Sequence, residues 1–302
     1  MANDIDSVLG KNITSYGTSY NPAILAREAR VGNRKIYGFD NESLPFAAGR
    51  DIWHAYEANF LLNNGLPING VLKLSIPFNS EFIVESKSLK LYLFSFNMEK
   101  LGETEDVGTR EFLTRVVKDL SNLLGTEDVQ ASFYNEGLSE AWCETDELLS
   151  KATPLYVLAN LEETVFDQFT ENPNILQASK YPELGGVFVK TDLLRSNCKI
   201  THQPDYGTLF IKMRTQDGIV PTAESLAQYI VSMRSENHFH EEIVECVYSR
   251  LWNKFKPVEL MVTALYTRRG GIDICPTRAS HEDLLPQQLI DINVLTPKEY
   301  RS

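Results

Sequence analysis

The sequence predicts an α+β protein built from two copies of one unit, and three observations carry that expectation. First, short runs alternate apolar and polar residues like half-buried strands, as in Val71–Phe78, Gly186–Leu194 and Thr208–Arg214. Second, Thr109–Leu124 and Glu241–Phe255 space their apolar residues as amphipathic helices do. Third, Thr222–Met233 (TAESLAQYIVSM) lies on Glu85–Phe96 (ESKSLKLYLFSF) without a gap. Ser88, Leu89, Tyr92 and Ser95 meet their identical partners Ser225, Leu226, Tyr229 and Ser232.

Taken in order, residues 1–50 are rich in Gly, Asn, Ser and Tyr and predict a long irregular arm. Asp51–Leu62 places Ile52, Tyr56, Phe60 and Leu61 near one helical face, so a helix is expected. Asn63–Asn69 is a turn-rich break, and Val71–Phe78 a strand. Glu85–Phe96 is ambiguous alone. Leu89, Leu91 and Leu93 alternate like a strand, while Leu89, Leu93 and Phe96 share a helical face. Its repeat partner decides for helix, because it lacks alternation and opens with Thr222 three residues before Ser225. The helix Thr109–Leu124 and the strand Val129–Tyr134 complete a first module over residues 51–150. Residues 151–182 form a polar bridge. A second module, 183–302, repeats strands, two helices and the strand Glu259–Tyr266. Neither unit can bury both faces of its sheet. The two sheets are therefore expected to pair side by side, or with another chain.

The 302 residues, 43% hydrophobic and 23% charged, suit two modest soluble domains. A net charge of −12 repels phosphate backbones and disfavours direct nucleic-acid binding. No run approaches the roughly 18 apolar residues of a membrane span. The start lacks a basic stretch followed by an apolar one, so no secretory signal is expected and the chain reads as cytoplasmic. Without export, the glycosylation patterns at Asn12 and Asn41 carry no meaning. Cys143, Cys198, Cys246 and Cys275 form no CxxC pair and read as reduced thiols.

The chemistry concentrates in Arg195–Gly207, RSNCKITHQPDYG. Cys198 and Asp205 sit in a connection between two strands. A cysteine is more often a small buried hydrophobe. Here its polar, partly basic flanks favour the thiolate. Asp205 follows a proline and reads either as a turn carboxylate or, kept protonated, as a proton donor. Phe239-His240-Glu241-Glu242 opens the last long helix. Acids there complement the helix dipole, which alone accounts for Glu242. His240 and Glu241 also supply a donor and an acceptor suited to a purine-type edge. His238 and His240 with Cys198 or Cys246 offer zinc ligands as an alternative. Glu85-Ser86-Lys87-Ser88 diverges from its repeat partner at the charged positions. The first copy lacks a cysteine in the connection Phe78–Val84. The halves thus read as sharing one composite site, with surface drift an equal reading. Arg268-Arg269-Gly270-Gly271 offers phosphate contacts and close backbone approach, or a plain basic turn. Neither GxGxxG, a P-loop nor HExxH occurs.

ESKSLKLYLFSFN, SNCKITHQPDYG, ENHFHEE (236–242) and YTRRGG (266–271) together resemble the NADPH-dependent 7-cyano-7-deazaguanine reductases, the nitrile reductases of queuosine biosynthesis. LPFAAGRDIWHAYE (44–57) and NNGLP (63–67) resemble the long, two-module branch. The resemblance implies tandem tunnelling-fold modules, antiparallel sheets with helices packed on one face, and a homodimer. It implies a 7-deazapurine substrate, NADPH and no metal. Cys198 matches the nucleophile and Asp205 the proton donor. Glu85, Ser86, Lys87, Phe239, His240 and Glu241 match substrate positions. Lys87, Ser88, Arg269 and Gly270 match cofactor positions. The chain departs where Ile-Cys-Pro-Thr-Arg follows Asp273 and where Phe60-Leu61 replaces an expected Trp-Leu. The alternatives are a zinc-dependent cyclohydrolase-like enzyme and a non-catalytic purine-base binder.

Overall fold

The computed structural model describes residues 3–4, 19–135, 146–180 and 186–296. Cys143, the Asn12 triplet and parts of the arm and bridge lie outside the described residues.

The first module runs β2 (Ala48–Leu61), β3 (Pro67–Pro77), β4 (Phe82–Val84), α2 (Ser86–Phe94), α3 (Glu105–Leu124) and β5 (Gln130–Tyr134). The second runs β6 (Gly186–Cys198), β7 (Pro204–Arg214), β8 (Ile219–Pro221), α4 (Ala223–Ser232), β9 (Asn237–His238), α5 (His240–Phe255), β10 (Glu259–Tyr266) and β11 (Ile272–Ala279). Apart from β4 and β8, which pair outside it, their strands merge into one sheet, ordered β9-β6-β7-β10-β11-β2-β3-β5. The seam is antiparallel pairing of β11 with β2, from Ile272 opposite Ala55 to Ala279 opposite Ala48. The side-by-side expectation is met, and the α+β class with it.

The helices cover one face. Between the sheet and α2 and α3, Phe60, Leu72 and Leu74 pack with Phe112, Val116 and Leu120 of α3. Between the sheet and α4 and α5, Leu209 and Ile211 pack with Leu226 and Ile230 of α4 and Ile243 and Val247 of α5. Each such side chain contributes roughly 1.5–3 kcal/mol by leaving water. The other face carries Ile52, Phe210, Met261 and Cys275, covered by Leu149, Leu284, Leu285 and Leu289. No helix among the described residues is long and apolar enough to cross a membrane.

Two expectations fail. Asp51–Leu62 is a strand, part of β2, and no helix. Both its faces are buried, so the alternation that marks a one-sided strand is missing. A bulge between Ala55 and Ala58 then inserts one residue. Trp53, Ala55, Ala58 and Phe60 consequently enter one core, a spacing that imitates a helix.

The arm is also not irregular throughout. Asn21 caps a 3₁₀ turn, Pro22–Ile24, through its side chain. β1 (Ala26–Ala29) then pairs with β4, and α1 (Arg30–Ile36) follows. The second copy does likewise: Asn172 caps Pro173–Ile175, and Ala178–Lys180 pairs with β8. Asn-Pro-Ala-Ile-Leu25 and Asn-Pro-Asn-Ile-Leu176 are the sequence signal for this longer repeat. In α1, Arg30 and Arg34 are almost fully buried. Arg30 donates to Asp51 at 2.6 Å, and Arg34 to Glu245 at 2.7 Å. Arg278 on β11 bridges both acids, at 2.7 Å and 2.9 Å. This ion network ties the arm, both modules and α5 together behind the site.

Candidate active site at the module junction

Cys198 is the last residue of β6, so it ends a strand rather than floating in a connection. Its N–H donates to the Gln203 carbonyl at 2.8 Å, and the His202 N–H returns to the Cys198 carbonyl at 3.0 Å. His202 closes this turn with φ +55°, a left-handed backbone at a non-glycine residue. Burial pushes the Cys198 thiol up. The Thr201 hydroxyl, the N–H groups of Thr201 and Ile200, and the Arg269 guanidinium outweigh that and lower it below the usual thiol value.

Asp205 is the second residue of β7 and lies opposite Ser196 of β6. It is 6% exposed. Arg269 Nη1 donates to its Oδ1 at 2.6 Å, and His240 Nε2 lies 3.4 Å from its Oδ2. His240 stacks on Tyr266, rings 11° from parallel and 3.7 Å apart. That fixes the imidazole plane at the start of α5.

Glu241, the next residue, is buried on the inner side of α5. Neither of its carboxylate oxygens is hydrogen-bonded by another residue. Burial and the nearby Asp51 raise its pKa to about 8, against Arg30 and Arg278. Glu242 plays the structural part expected of it, accepting the Phe239 N–H at 2.9 Å. Phe239 itself is 8% exposed, with the Lys199 ammonium 5.3 Å from its ring centre.

Glu85 caps α2. Its two oxygens accept the N–H groups of Lys87 at 3.0 Å and Ser88 at 2.7 Å. Burial nevertheless raises its pKa. Ser88 is fully buried, and its hydroxyl accepts the Ala26 N–H at 2.9 Å and donates to the Glu85 carbonyl. Ser86 and Lys87 face outward into a cleft of about 240 Å³. From the other module, Thr201, Gln203, His240, Arg269 and Gly270 line the same cleft. The two modules therefore meet at one hollow, with Arg269 joining it to Asp205.

The β10–β11 turn is built for close approach. Gly270 and Gly271 have φ of +60° and +81°. A Cβ at Gly271 would fall 2.5 Å from the Glu57 carboxyl carbon. Only glycine fits both demands. Lys90, which the sequence did not single out, also lines the cleft. With Lys87 and Arg269 it makes a cationic wall beside a backbone free of side chains. That fits the phosphates of a dinucleotide.

Among the described residues, the ligands the zinc alternative names, His238 and His240 with Cys198 or Cys246, do not come together as a group. Cys246 is buried in α5, its thiol pushed up to about 12 by burial and by Glu171. Among the described residues, the one group able to gather around a metal is His54, Asp273 and Cys275. There His54 Nδ1 already contacts Asp273 Oδ1 at 2.8 Å, a hydrogen bond a metal would have to break.

Sequence reasoning missed Arg269's contact with Asp205, the His240–Tyr266 stack and the arginines of the arm. Only the arm left a readable signal, the two Asn-Pro motifs.

Comparison with known proteins places the chain. Residues 16–132 match a family model described as "Nitrile reductase, 7-cyano-7-deazaguanine-reductase N-term". Residues 204–284 match one described as "QueF-like protein". A protein of Psychrobacter cryohalolentis named NADPH-dependent 7-cyano-7-deazaguanine reductase is 36% identical over 291 residues, covering 93% of this chain and 96% of that protein. One of the same name from Acinetobacter baumannii is 35% identical over 285 residues, covering 94% and 96%. A crystal structure of the archaeosine synthase QueF-Like in the apo form matches 33% of this chain and 96% of its own. Its 20% identity and TM-score of 0.30 carry no argument.

Proposed function

The chain belongs to the 7-cyano-7-deazaguanine reductase family of nitrile reductases, and from that premise we propose how its own residues perform the reaction. The activity is the NADPH-dependent reduction of the nitrile of 7-cyano-7-deazaguanine to 7-aminomethyl-7-deazaguanine, a step of queuosine biosynthesis. One observation carries the mechanistic reading. Cys198 ends the strand paired with the one that carries Asp205, and Arg269, bonded to that buried carboxylate, lines a cleft built from both modules.

The Cys198 sulfur adds to the nitrile carbon and forms a covalent thioimide. Asp205 gives the nitrogen its proton, with His240 beside it to relay a replacement. Glu241 holds the base, since its buried carboxyl has a lone pair and, near neutral pH, a proton to offer. Glu85 and His240 complete the recognition, with Ser86 and Lys87 at the cleft wall. Phe239 closes over the ring. Lys87, Lys90, Arg269 and Gly270 would hold the dinucleotide, while Ser88 supports it by fixing the start of α2. NADPH supplies two hydrides per turnover. Cys198 leaves as thiol between them, and the amine departs with protons delivered through Asp205.

The two matching units support the tandem tunnelling-fold organisation. We further propose a cytoplasmic homodimer acting on the free base, since an acidic chain is ill suited to bind tRNA directly. The test is NADPH absorbance with purified protein and 7-cyano-7-deazaguanine. Two NADPH should be consumed per amine formed. No nitrile-dependent oxidation would refute the activity.

A further inference from the structure

We infer that Arg269 is the positioning residue that turns Cys198 and Asp205 into a working pair, holding the single negative charge they share whichever of them carries it.

The geometry leads there directly. Arg269 Nη1 reaches Asp205 Oδ1 at 2.6 Å, and the same guanidinium helps hold the Cys198 thiol below its usual value. Its backbone is pinned by exchange with Ile272, at 2.8 Å and 3.2 Å. The two left-handed glycines that follow close the turn and aim the side chain back over β6 and β7. A planar guanidinium with several donors can span two acceptors at once, which an ammonium does poorly. The other charged or titratable groups near the sulfur are engaged elsewhere. Lys199 pairs with Glu28 and Glu242, His202 with Asn237, and His238 with Glu236 and Glu242. His240 faces Asp205.

The proton and charge balance follows. The step begins as the Cys198 proton passes to the Asp205 carboxylate. Moving it to Asp205 leaves a thiolate, and Arg269 stays paired with the charge. The sulfur then forms its bond to the nitrile carbon as one carbon–nitrogen π bond opens. The nitrogen takes the proton from Asp205. The negative charge returns to the carboxylate, still against Arg269. The cation never moves, so it stabilises both ends of the step. Arg269 thus acts before the cofactor is engaged, in addition to any contact with phosphate.

This rests on the nitrile-reductase reading for its chemistry, but its test does not. Cys198 in the full chain is alkylated with iodoacetamide from pH 5 to 9, without nitrile or NADPH, and read by peptide mapping. Arg269→Gln should move the rate profile to higher pH and slow Cys198 alkylation about tenfold at pH 7. Arg269→Lys should fall between that variant and the parent, because it keeps the charge and loses the fork. A parent-like profile in Arg269→Gln overturns the inference. In parallel, the nitrile is added without NADPH and the intact mass is measured. A parent chain that forms no adduct, with the alkylation shift present, sinks the nitrile chemistry and leaves the role of Arg269 standing. An adduct in the parent with no alkylation shift does the reverse.

Discussion

Leu61 and Ile68 in the first module occupy the places that Cys198 and Asp205 occupy in the second. The two copies align without a gap from Leu61–Phe96 to Cys198–Met233. Each first strand ends at the compared residue, and each second strand opens on a proline, Pro67 or Pro204. Each first strand also carries a bulge against its partner. Ile68 and Asp205 are even equally buried, at 6%. One backbone therefore carries an apolar pair in one copy and a reactive pair in the other. The helix caps differ in the reverse sense. Glu85 accepts two N–H groups at the start of α2, while Thr222 accepts the Ser225 N–H at the start of α4. The fold needs a cap at both places and a carboxylate at neither. What the fold does not need in each copy is what the shared site uses.

The comparison can be broken at several points. The largest effect is expected at Cys198. Cys198→Ala should cut turnover on the order of 10³-fold or more, whereas Leu61→Ala should leave turnover near the parent. Steady-state NADPH oxidation checks both. Next comes the arm, where the first copy carries Arg30 and Arg34 into the core. Glu245→Gln removes one of the two acids paired with Arg30, Arg34 and Arg278. Urea unfolding should show a loss of about 3–5 kcal/mol. Ile68→Ala should cost roughly 2–4 kcal/mol in the same assay with turnover retained. Asp205→Asn, its counterpart, should lose turnover with little change in unfolding.

Glu85→Thr makes the first cap resemble the second. Stability should stay within about 1 kcal/mol, since threonine also caps. The value of kcat/KM should fall roughly 10- to 100-fold, as expected for a lost bond to a buried charged group. An unchanged kcat/KM would reduce Glu85 to a cap. The last effect concerns Glu241, whose pKa is raised to about 8 in the fold. A carboxyl held protonated contributes its stability fully below the ordinary value of 4.5 and loses it as pH rises to about 8. The gap in urea midpoint between Glu241→Gln and the parent should therefore shift in favour of the variant from pH 5 to pH 8.

Much of this was legible in the sequence because packing positions repeat. Ser88, Leu89 and Tyr92, matched to Ser225, Leu226 and Tyr229, carried the helix from the second copy, where it reads clearly, to Glu85–Phe96, where it is ambiguous. Misreading β2 as a helix had a further cost. It made Phe78–Val84 the counterpart of the cysteine turn, when the counterpart is Leu61–Pro67, between β2 and β3. A strand buried on both faces and broken by a bulge leaves no period to read. The strand β11 escaped notice because Ile272–Ala279 is buried throughout despite Asp273, Thr277 and Arg278. Those polar residues are paired across distant chain segments, and no local pattern records such pairs. The same reason hid Arg269's contact with Asp205, which forms only when distant strands and a turn converge.

The central claim is that the second copy's cysteine is the nucleophile of a site both copies build. The direct measurement is intact mass after mixing the chain with 7-cyano-7-deazaguanine and no NADPH, for the parent, Cys198→Ala and Glu85→Thr. The parent should gain the mass of one substrate per chain, Cys198→Ala none, and Glu85→Thr the same adduct more slowly. An adduct that persists in Cys198→Ala would contradict the account.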